Sequence, residues 1–359
     1  MNVLIIKMSS LGDVIHTLPA VTDAVKALDD IQFDWVVESG FQEIPRWHPA
    51  VRQVIPIELR HWRKNKRDAL MSGSVKHFIQ QLRYREYDVI LDAQGLLKSA
   101  CVARLARGIR IGLDKKSARE PVSSVFYQKT VSAGKNQHAV EKVRQLFAKA
   151  LNYSLPTPEV NYGIDIARLG NMLLPKQPYV MFLHGTTWAT KHWPEQYWCE
   201  LAKKLCSEGQ QVVLTWGNQI EKARAEKIVY FCQQQKLNLT PHILPKLSLG
   251  EITYVIANAT AAVAVDTGLG HIAAMMNVPT LSLYGPTFPG FTGAYGQQQI
   301  HLTVDAQCHP CFEKECPIAK GSRSSLYPPC FKTLTPQSVW QQLESMLIDS
   351  KRKTDVIHG

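Results

Sequence analysis

The stretch NVLIIKMSSLGDVIHTLPAVTDAVKAL, residues 2–28, decides the fold. It opens on a run of β-branched and apolar residues, and from His16 onward apolar residues recur at helical spacing. Between the two lies KMSSLGD, a loop of small residues with one acid, Asp13. A strand apolar on both faces, followed at once by a helix, is half of a βαβ unit, because such a strand needs helices on both sides of its sheet. The pattern recurs: FDWVV, VRQVIPI and YDVILDAQG are further apolar runs separated by helix-length segments. The alternation predicts a parallel sheet covered by helices.

The rhythm fades between Leu151 and Pro178, where prolines gather in SLPTPEV and LPKQP, and this segment reads as a linker. A second series follows: YVMFLHG, a helix from Glu195, QVVLTWG, a helix from Ile220, then LSLGEITYVIANA, AAVAVDTG, HIAAMMNV and TLSLYGP. The expected fold class is α/β, with two doubly wound Rossmann-like domains in tandem over residues 1–165 and 178–335. A terminal helix and tail over 336–359 is free to pack back on the first domain. In such sheets ligands gather at the carboxyl ends of strands, which directs attention to the loops after LIIK, LDAQG, FLHG, LTWG and AVDTG.

Composition narrows the function. The 359 residues are 45% hydrophobic and 20% charged, without disordered or repetitive bias. No apolar run approaches the roughly 18 residues of a membrane span, and the amino terminus reads as a strand and not as a secretory signal, so a cytoplasmic location is expected. Eight cysteines in that setting point to thiols or a metal site. The formal charge of +11 suits nucleic acid, an anionic membrane or a phosphorylated substrate equally, so its location must decide.

In AVDTGLGHIAAMM, Gly268, Gly270 and Ala273 fit the G-x-G-x-x-A dinucleotide fingerprint. A nicotinamide cofactor would need an acid at the end of the next strand to hold its ribose, and TLSLYGP ends in Gly285 and Pro286. What survives is an anion site, a diphosphate being the natural guest of backbone N–H groups at a helix amino terminus. A tight strand-to-helix turn would use the same glycines. Asp266 and His271, ionisable and beside the turn, favour the site. LHGTTWATKHWP adds the hydroxyls of Thr186 and Thr187 and the charge of Lys191. Glu221, after LTWG, suits either a ribose or the first turn of its own helix. Asp13 is read equally as a helix cap or a general base.

Several stretches together, KMSSLGDVIHTLPA, DAQGLLKSA, AREP, QHAVEK, HGTTWATKHWP, TWGN, LPKLSL, VDTGLGHIAA and YGPT, resemble in order and spacing the ADP-heptose:lipopolysaccharide heptosyltransferases over nearly the whole chain. FDWVVE, HWRK and AREP are most similar to the heptosyltransferase I branch, which acts on Kdo of the inner core. The resemblance implies a GT-B fold, two Rossmann-like domains facing across a cleft, and inversion without a catalytic metal. It implies Asp13 as general base and Lys191 as the charge that stabilises departing ADP. Thr186, Thr187, Lys191, Glu221, Leu247, Asp266, Thr267, Gly268 and His271 are implied for the donor, ADP-heptose. Ser10, Gly12, Arg60, Arg63, Lys64, Gln94, Arg119 and His138 are implied for the acceptor, Kdo-lipid A.

The basic segment LRHWRKNKR then has a use, since arginine clusters grip phosphate and carboxylate in forked bonds. Its charge, with the carboxyl-terminal SKRKTD, would also draw the protein to the anionic inner face of the inner membrane. A solvated loop is the plain alternative. No helix-turn-helix, RNP or zinc-finger pattern accompanies it, so nucleic acid is not expected. One feature fits a later heptosyltransferase as well: Cys308, Cys311, Cys316 and Cys330 make C-x2-C-x4-C-x13-C, which admits a structural zinc, free thiols or, against the expected redox conditions, a disulfide. Free thiols are the first expectation, and Cys101, Cys199, Cys206 and Cys232 read as core residues. A nucleotide-binding oxidoreductase and a non-catalytic polyanion binder are the rivals from other classes.

Overall fold

The computed structural model describes residues 1–134, 136–156, 159–321 and 326–358. The chain divides into two compact units, Met1–Arg168 and Leu169–Gly359. In the first, β1 (Asn2–Ile6), β2 (Gln32–Glu38), β3 (Val51–Ile57), β4 (Glu86–Asp92), β5 (Arg107–Leu113) and β6 (Lys129–Val131) form one sheet in the order β3-β2-β1-β4-β5-β6. In the second, β7 (Tyr179–Leu183), β8 (Gln211–Leu214), β9 (His242–Ile243), β10 (Ala261–Val265), β11 (Thr280–Tyr284) and β12 (Gln299–Thr303) lie in the order β12-β11-β10-β7-β8-β9. Every described strand pair is parallel. Counted from each unit's own first strand, both sheets have the 3-2-1-4-5-6 order of the dinucleotide-binding fold.

The apolar runs become the central strands. β7, β10 and β11 are buried throughout, and β1 is buried from Val3 onward. In the second unit Trp198 packs on Phe182 and Trp193, with ring centroids 4.8 and 5.1 Å apart, and Trp193 Nε1 donates to the Leu334 carbonyl. In the first, the acid inside FDWVV is explained by its partners. Asp34 is fully buried, Arg52 clamps both its oxygens at 3.0 Å, and Tyr87 donates to Oδ2 at 2.9 Å. A carboxylate without such donors could not stay charged in that position.

The helical stretch HTLPAVTDAVKAL becomes the helix Leu18–Ala27, with Pro19 in its first turn where a missing N–H costs nothing, and a separate short helix, Leu11–Ile15, precedes it. Two expectations are corrected. The helix Pro336–His358, expected as free to return to the first unit, packs within the second over its described side chains. Val339, Trp340, Leu343, Met346 and Leu347 join that unit's core beside the helix Glu195–Ser207. The side chains of SKRKTD, residues 350–355, lie outside the described ones. Cys101 is exposed, on the outward side of the helix Leu97–Leu105, whereas Cys199, Cys206 and Cys232 are buried as expected.

Candidate active site

In a sheet of this order the loops leaving the first and fourth strands run in opposite directions, and a crevice opens between them. The two crevices are therefore built from the loops after β1 and β4, and from those after β7 and β10. Most of the candidate residues stand on these four loops.

At the first switch point, Lys7 follows β1 and is almost fully buried; its Nζ donates to the Ala93 carbonyl at 3.0 Å and lies 3.7 Å from Asp13 Oδ1. Asp13 is the third residue of the helix Leu11–Ile15, and its Oδ2 accepts from the Ser10 N–H at 2.8 Å and from Ser10 Oγ at 2.9 Å. The capping geometry is thus present, and it leaves Oδ1 directed toward Lys7. Burial pushes the Asp13 carboxyl up, but the charge of Lys7, the two Ser10 donors and Arg119 pull it below the usual carboxylate range. Gly12 is buried in the same turn.

Of the acceptor candidates, Gln94 is engaged at both ends: Oε1 accepts from the Met8 N–H at 2.8 Å, and Nε2 donates to the Ser9 carbonyl at 3.1 Å. His138 caps the helix Ala139–Leu151, its ring accepting from the Val140 N–H, and stands edge-on to His16 at 5.1 Å. Arg119 is exposed. Arg60, Arg63 and Lys64 project into solvent from the helix Leu59–Lys64, while Trp62 turns inward, donating to Ser74 Oγ at 3.0 Å and packing on Phe78. The aromatic inside LRHWRKNKR anchors the helix, and Arg60, Arg63 and Lys64 face water. Arg60 also lies over the Phe41 ring, 5.8 Å from its centre.

At the second switch point, Lys191 Nζ contacts Asp266 Oδ2 at 2.6 Å, Thr287 Oγ1 donates to that oxygen at 2.6 Å, and Thr186 Oγ1 donates to the Asp266 carbonyl at 3.0 Å. The Trp188 ring lies 4.5 Å from the Lys191 ammonium. Thr267 begins the helix Gly268–Met275 without a side-chain capping bond, and His271 is buried within that helix. A Cβ at Gly270 would stand 3.3 Å from that of Ala264, so this glycine serves helix-on-strand packing. Glu221, third in the helix Gln219–Gln233, accepts from the Gly217 N–H at 2.7 Å. Its carboxyl lies so close to Gly185 that a Cβ there would meet it at 2.7 Å. Thr187 is exposed, and Leu247 is half-buried before the helix Leu249–Ala257.

Two partners in these clusters escaped the sequence reading, Lys7 and Thr287. A lysine closing an otherwise apolar strand was the available signal for the first, and the YGPT stretch held the second. Nor did it weigh His184, fully buried just after β7 and, among the described residues, without a hydrogen-bond partner on either ring nitrogen. Burial, then the charges of Arg224 and His192, bring its pKa down to about 3, and it is neutral. Cys308, Cys311, Cys316 and Cys330 line one cavity of about 340 Å³ with Thr190 and Pro286. Burial and then the neighbouring thiols push Cys330 up to about 11. All four are free, and among the described residues no three Cys, His, Asp or Glu side chains stand together as a metal-holding group.

Two Rossmann-ordered units in one chain are the architecture of GT-B glycosyltransferases, and the second carries an ammonium and a helix amino terminus at its switch point. The chain belongs to glycosyltransferase family 9 (heptosyltransferase), whose profile matches residues 75–321. It is 51% identical to lipopolysaccharide heptosyltransferase 1 of Pseudomonas aeruginosa over 97% of this chain and 98% of that protein. Lipopolysaccharide heptosyltransferase 2 of Salmonella typhimurium is 24% identical over 97% of this chain and 99% of that one. Among solved structures, E. coli heptosyltransferase WaaC with ADP superimposes with a TM-score of 0.83 at 40% identity, covering 96% of this chain and all of that one. The same enzyme with ADP-2-deoxy-2-fluoro heptose gives 0.81 at 41%, covering 96% and 99%. Among the described residues no helix is long and apolar enough to cross a membrane.

Proposed function

We propose that this enzyme transfers heptose from ADP-heptose to Kdo of the lipopolysaccharide inner core, on a lipid A-Kdo acceptor, with inversion at the anomeric carbon. The observation that carries the reading is the contrast in identity, 51% to a heptosyltransferase 1 against 24% to a heptosyltransferase 2, each over nearly the whole chain. The geometry is consistent with it. An ammonium has three donors, and Lys191 spends one on Asp266, leaving the others for diphosphate oxygens beside the helix Gly268–Met275. Negative charge grows on ADP as the glycosidic bond breaks, and donors already in place stabilise it without reorganisation. Asp13, held below the usual carboxylate range, is ionised at neutral pH and takes the proton of the acceptor hydroxyl as it attacks the face opposite ADP. The family resemblance supports this chemistry running without a metal, with the four clustered cysteines serving the fold.

Arg60, Arg63 and Lys64 suit an acidic sugar on a phosphorylated lipid, and the same exposed charge supports peripheral attachment to the anionic inner face of the inner membrane. The test is incubation with ADP-heptose and either a heptose-free Kdo-lipid A or an acceptor already carrying one heptose, read by mass. Addition to the first alone is expected; addition to the second alone would move the enzyme to a later step of the core. Arg63→Ala should raise the acceptor KM about tenfold, the size of one charge-assisted bond, and leave the donor KM nearly unchanged. Equal changes in both would place the acceptor elsewhere.

A further inference from the structure

The Ser9–Ser10 peptide is gripped at both ends. Its N–H donates to Asp13 Oδ2 at 2.8 Å, and its carbonyl accepts from Gln94 Nε2 at 3.1 Å. The other end of the Gln94 amide accepts the Met8 N–H at 2.8 Å, so the side chain bridges the Lys7–Met8 and Ser9–Ser10 peptides of the loop that leads to Asp13. Gln94 is itself fixed from below. Asp92, fully buried at the end of β4, accepts from the Gln94 N–H at 2.9 Å and the Gly95 N–H at 3.1 Å, while Tyr127 donates its hydroxyl to the other carboxylate oxygen at 2.7 Å. Tyr127 reaches it by crossing Gly112, where a Cβ would stand 2.4 Å from the ring.

We propose that Gln94 is a positioning residue for Asp13, with Asp92 and Tyr127 as its support, and that it does not bind the acceptor. The proposal rests on the reading of Asp13 as the general base. Both ends of the amide are already used inside the chain, which leaves Gln94 poorly suited to hold a sugar. Donation to the Ser9 carbonyl polarises the peptide and strengthens the Ser10 N–H bond to the carboxylate, since hydrogen bonds in series reinforce one another. That bond favours the ionised acid and fixes the direction in which Oδ1 is offered. The loops after β1 and β4, which leave neighbouring strands in opposite directions, are in this way tied together at Asp13.

The test is the pH dependence of turnover in Gln94→Leu, an apolar replacement of similar length, alongside Tyr127→Phe and Asp13→Asn. The charged groups that act on Asp13 are Lys7, just after β1 in the loop that leads to it, and Arg119, from the loop after β5; both are retained in these variants. Gln94→Leu should lower kcat about 10- to 100-fold, the scale of a misplaced catalytic group. It should also shift the acid limb of kcat/KM upward by about one unit, since weakening a bond to the charged form raises the carboxyl pKa. The KM for the acceptor should hold, as should ADP affinity, which reports that the second unit is intact. Tyr127→Phe, buried and without access to any sugar, should move the limb in the same direction by less. A raised acceptor KM with the limb unmoved would overturn the proposal and return Gln94 to the acceptor site. A normal profile in both variants would likewise overturn it, provided Asp13→Asn is inactive. Full activity in Asp13→Asn would instead defeat the reading of the base, and the limb shift in Gln94→Leu would then be absent for that separate reason.

Discussion

The two sheets share a strand order, and each sets a lysine beside an aspartate at its switch point, but the pairs are built in opposite senses. In the first unit the lysine is nearly enclosed and the acid is not, with side chains 8% and 32% exposed and 3.7 Å between them. In the second both are covered, at 17% and 12%, and the contact closes to 2.6 Å. Asp266 Oδ2 takes a second donor from Thr287, so its charge is satisfied and the ammonium is the member with donors to spare. At the first switch point Lys7 is enclosed, with its hydrogen bond going to the Ala93 carbonyl, and the more exposed carboxylate is the member a ligand can reach. On the proposed function, one topology would then supply an acceptor of protons in one unit and a holder of negative charge in the other. The difference follows from which member of the pair is pinned.

The sharpest way to break this comparison is to remove the free member of the first pair. Asp13→Asn retains an oxygen for the Ser10 N–H but cannot take a proton at neutral pH. Turnover should fall about 100- to 10,000-fold, with ADP affinity nearly unchanged. Asp13→Ala should lose turnover equally and melt earlier, because a lost cap costs about 0.5–2 kcal/mol. Retained turnover in the Asn variant would make Asp13 a cap alone. Stability has a sign of its own here. Because the folded carboxyl is depressed below its ordinary unfolded value, its contribution is present above that value and is lost as pH falls through the folded one. The difference in Tm between wild type and Asp13→Asn should therefore narrow in acid.

The free member of the second pair is Lys191. Lys191→Ala should weaken ADP and ADP-heptose together by about 10- to 100-fold, the scale of a bond to a charged group. A larger loss for ADP-heptose than for ADP would show that the ammonium meets the sugar. Part of the loss could come from leaving Asp266 underpaired, and the double variant Lys191→Ala with Asp266→Asn separates the two causes. If the second substitution restores binding, the pair is structural and the asymmetry between the units disappears.

How much of this asymmetry was legible in the sequence follows from the range of the forces involved. The apolar runs and the small-residue loops fixed the two α/β units, since burial of a strand depends on its own side chains. The residues at the switch points were found for the same reason, being next to strand ends. What stayed hidden were partners supplied by distant segments. Asp34 could not be recognised as charged and buried without Arg52 and Tyr87, and Gln94 could not be seen as a clamp until Ser9 and Met8 were placed against it. Cys101 shows the converse limit, since helical spacing alone did not reveal which side of Leu97–Leu105 faced water.

Lys7 tests whether the pinned lysine tunes its partner. Its charge opposes the effect of burial on Asp13, so Lys7→Met should let the carboxyl pKa rise and carry the acid limb of kcat/KM to higher pH by about one unit. Above that limb turnover should be largely kept, because the base is again ionised. A uniform loss at every pH would mean that Lys7 acts by holding the Ala93 carbonyl and not through its charge.

The smallest effect is expected at Thr287, which sharpens the comparison without removing either pair. Thr287→Val keeps the shape and deletes only the hydroxyl that donates to Asp266 Oδ2 at 2.6 Å. Asp266 then depends more heavily on Lys191, and the ammonium is drawn toward the carboxylate and away from a diphosphate. The loss of a hydrogen bond to a charged group is about 1.5 kcal/mol at the low end, equivalent to roughly tenfold, and part of it is recovered as the Lys191 contact strengthens. A decrease of about three- to fivefold in ADP-heptose affinity is expected, with kcat and the acid limb unchanged, as titration calorimetry and a pH series would show. Because the hydroxyl acts only through the pair, Thr287→Val should have no further effect in a Lys191→Ala background. Additive losses would mean that Thr287 touches the donor directly, and Asp266 would then lack the second donor that makes Lys191 the free member of its pair.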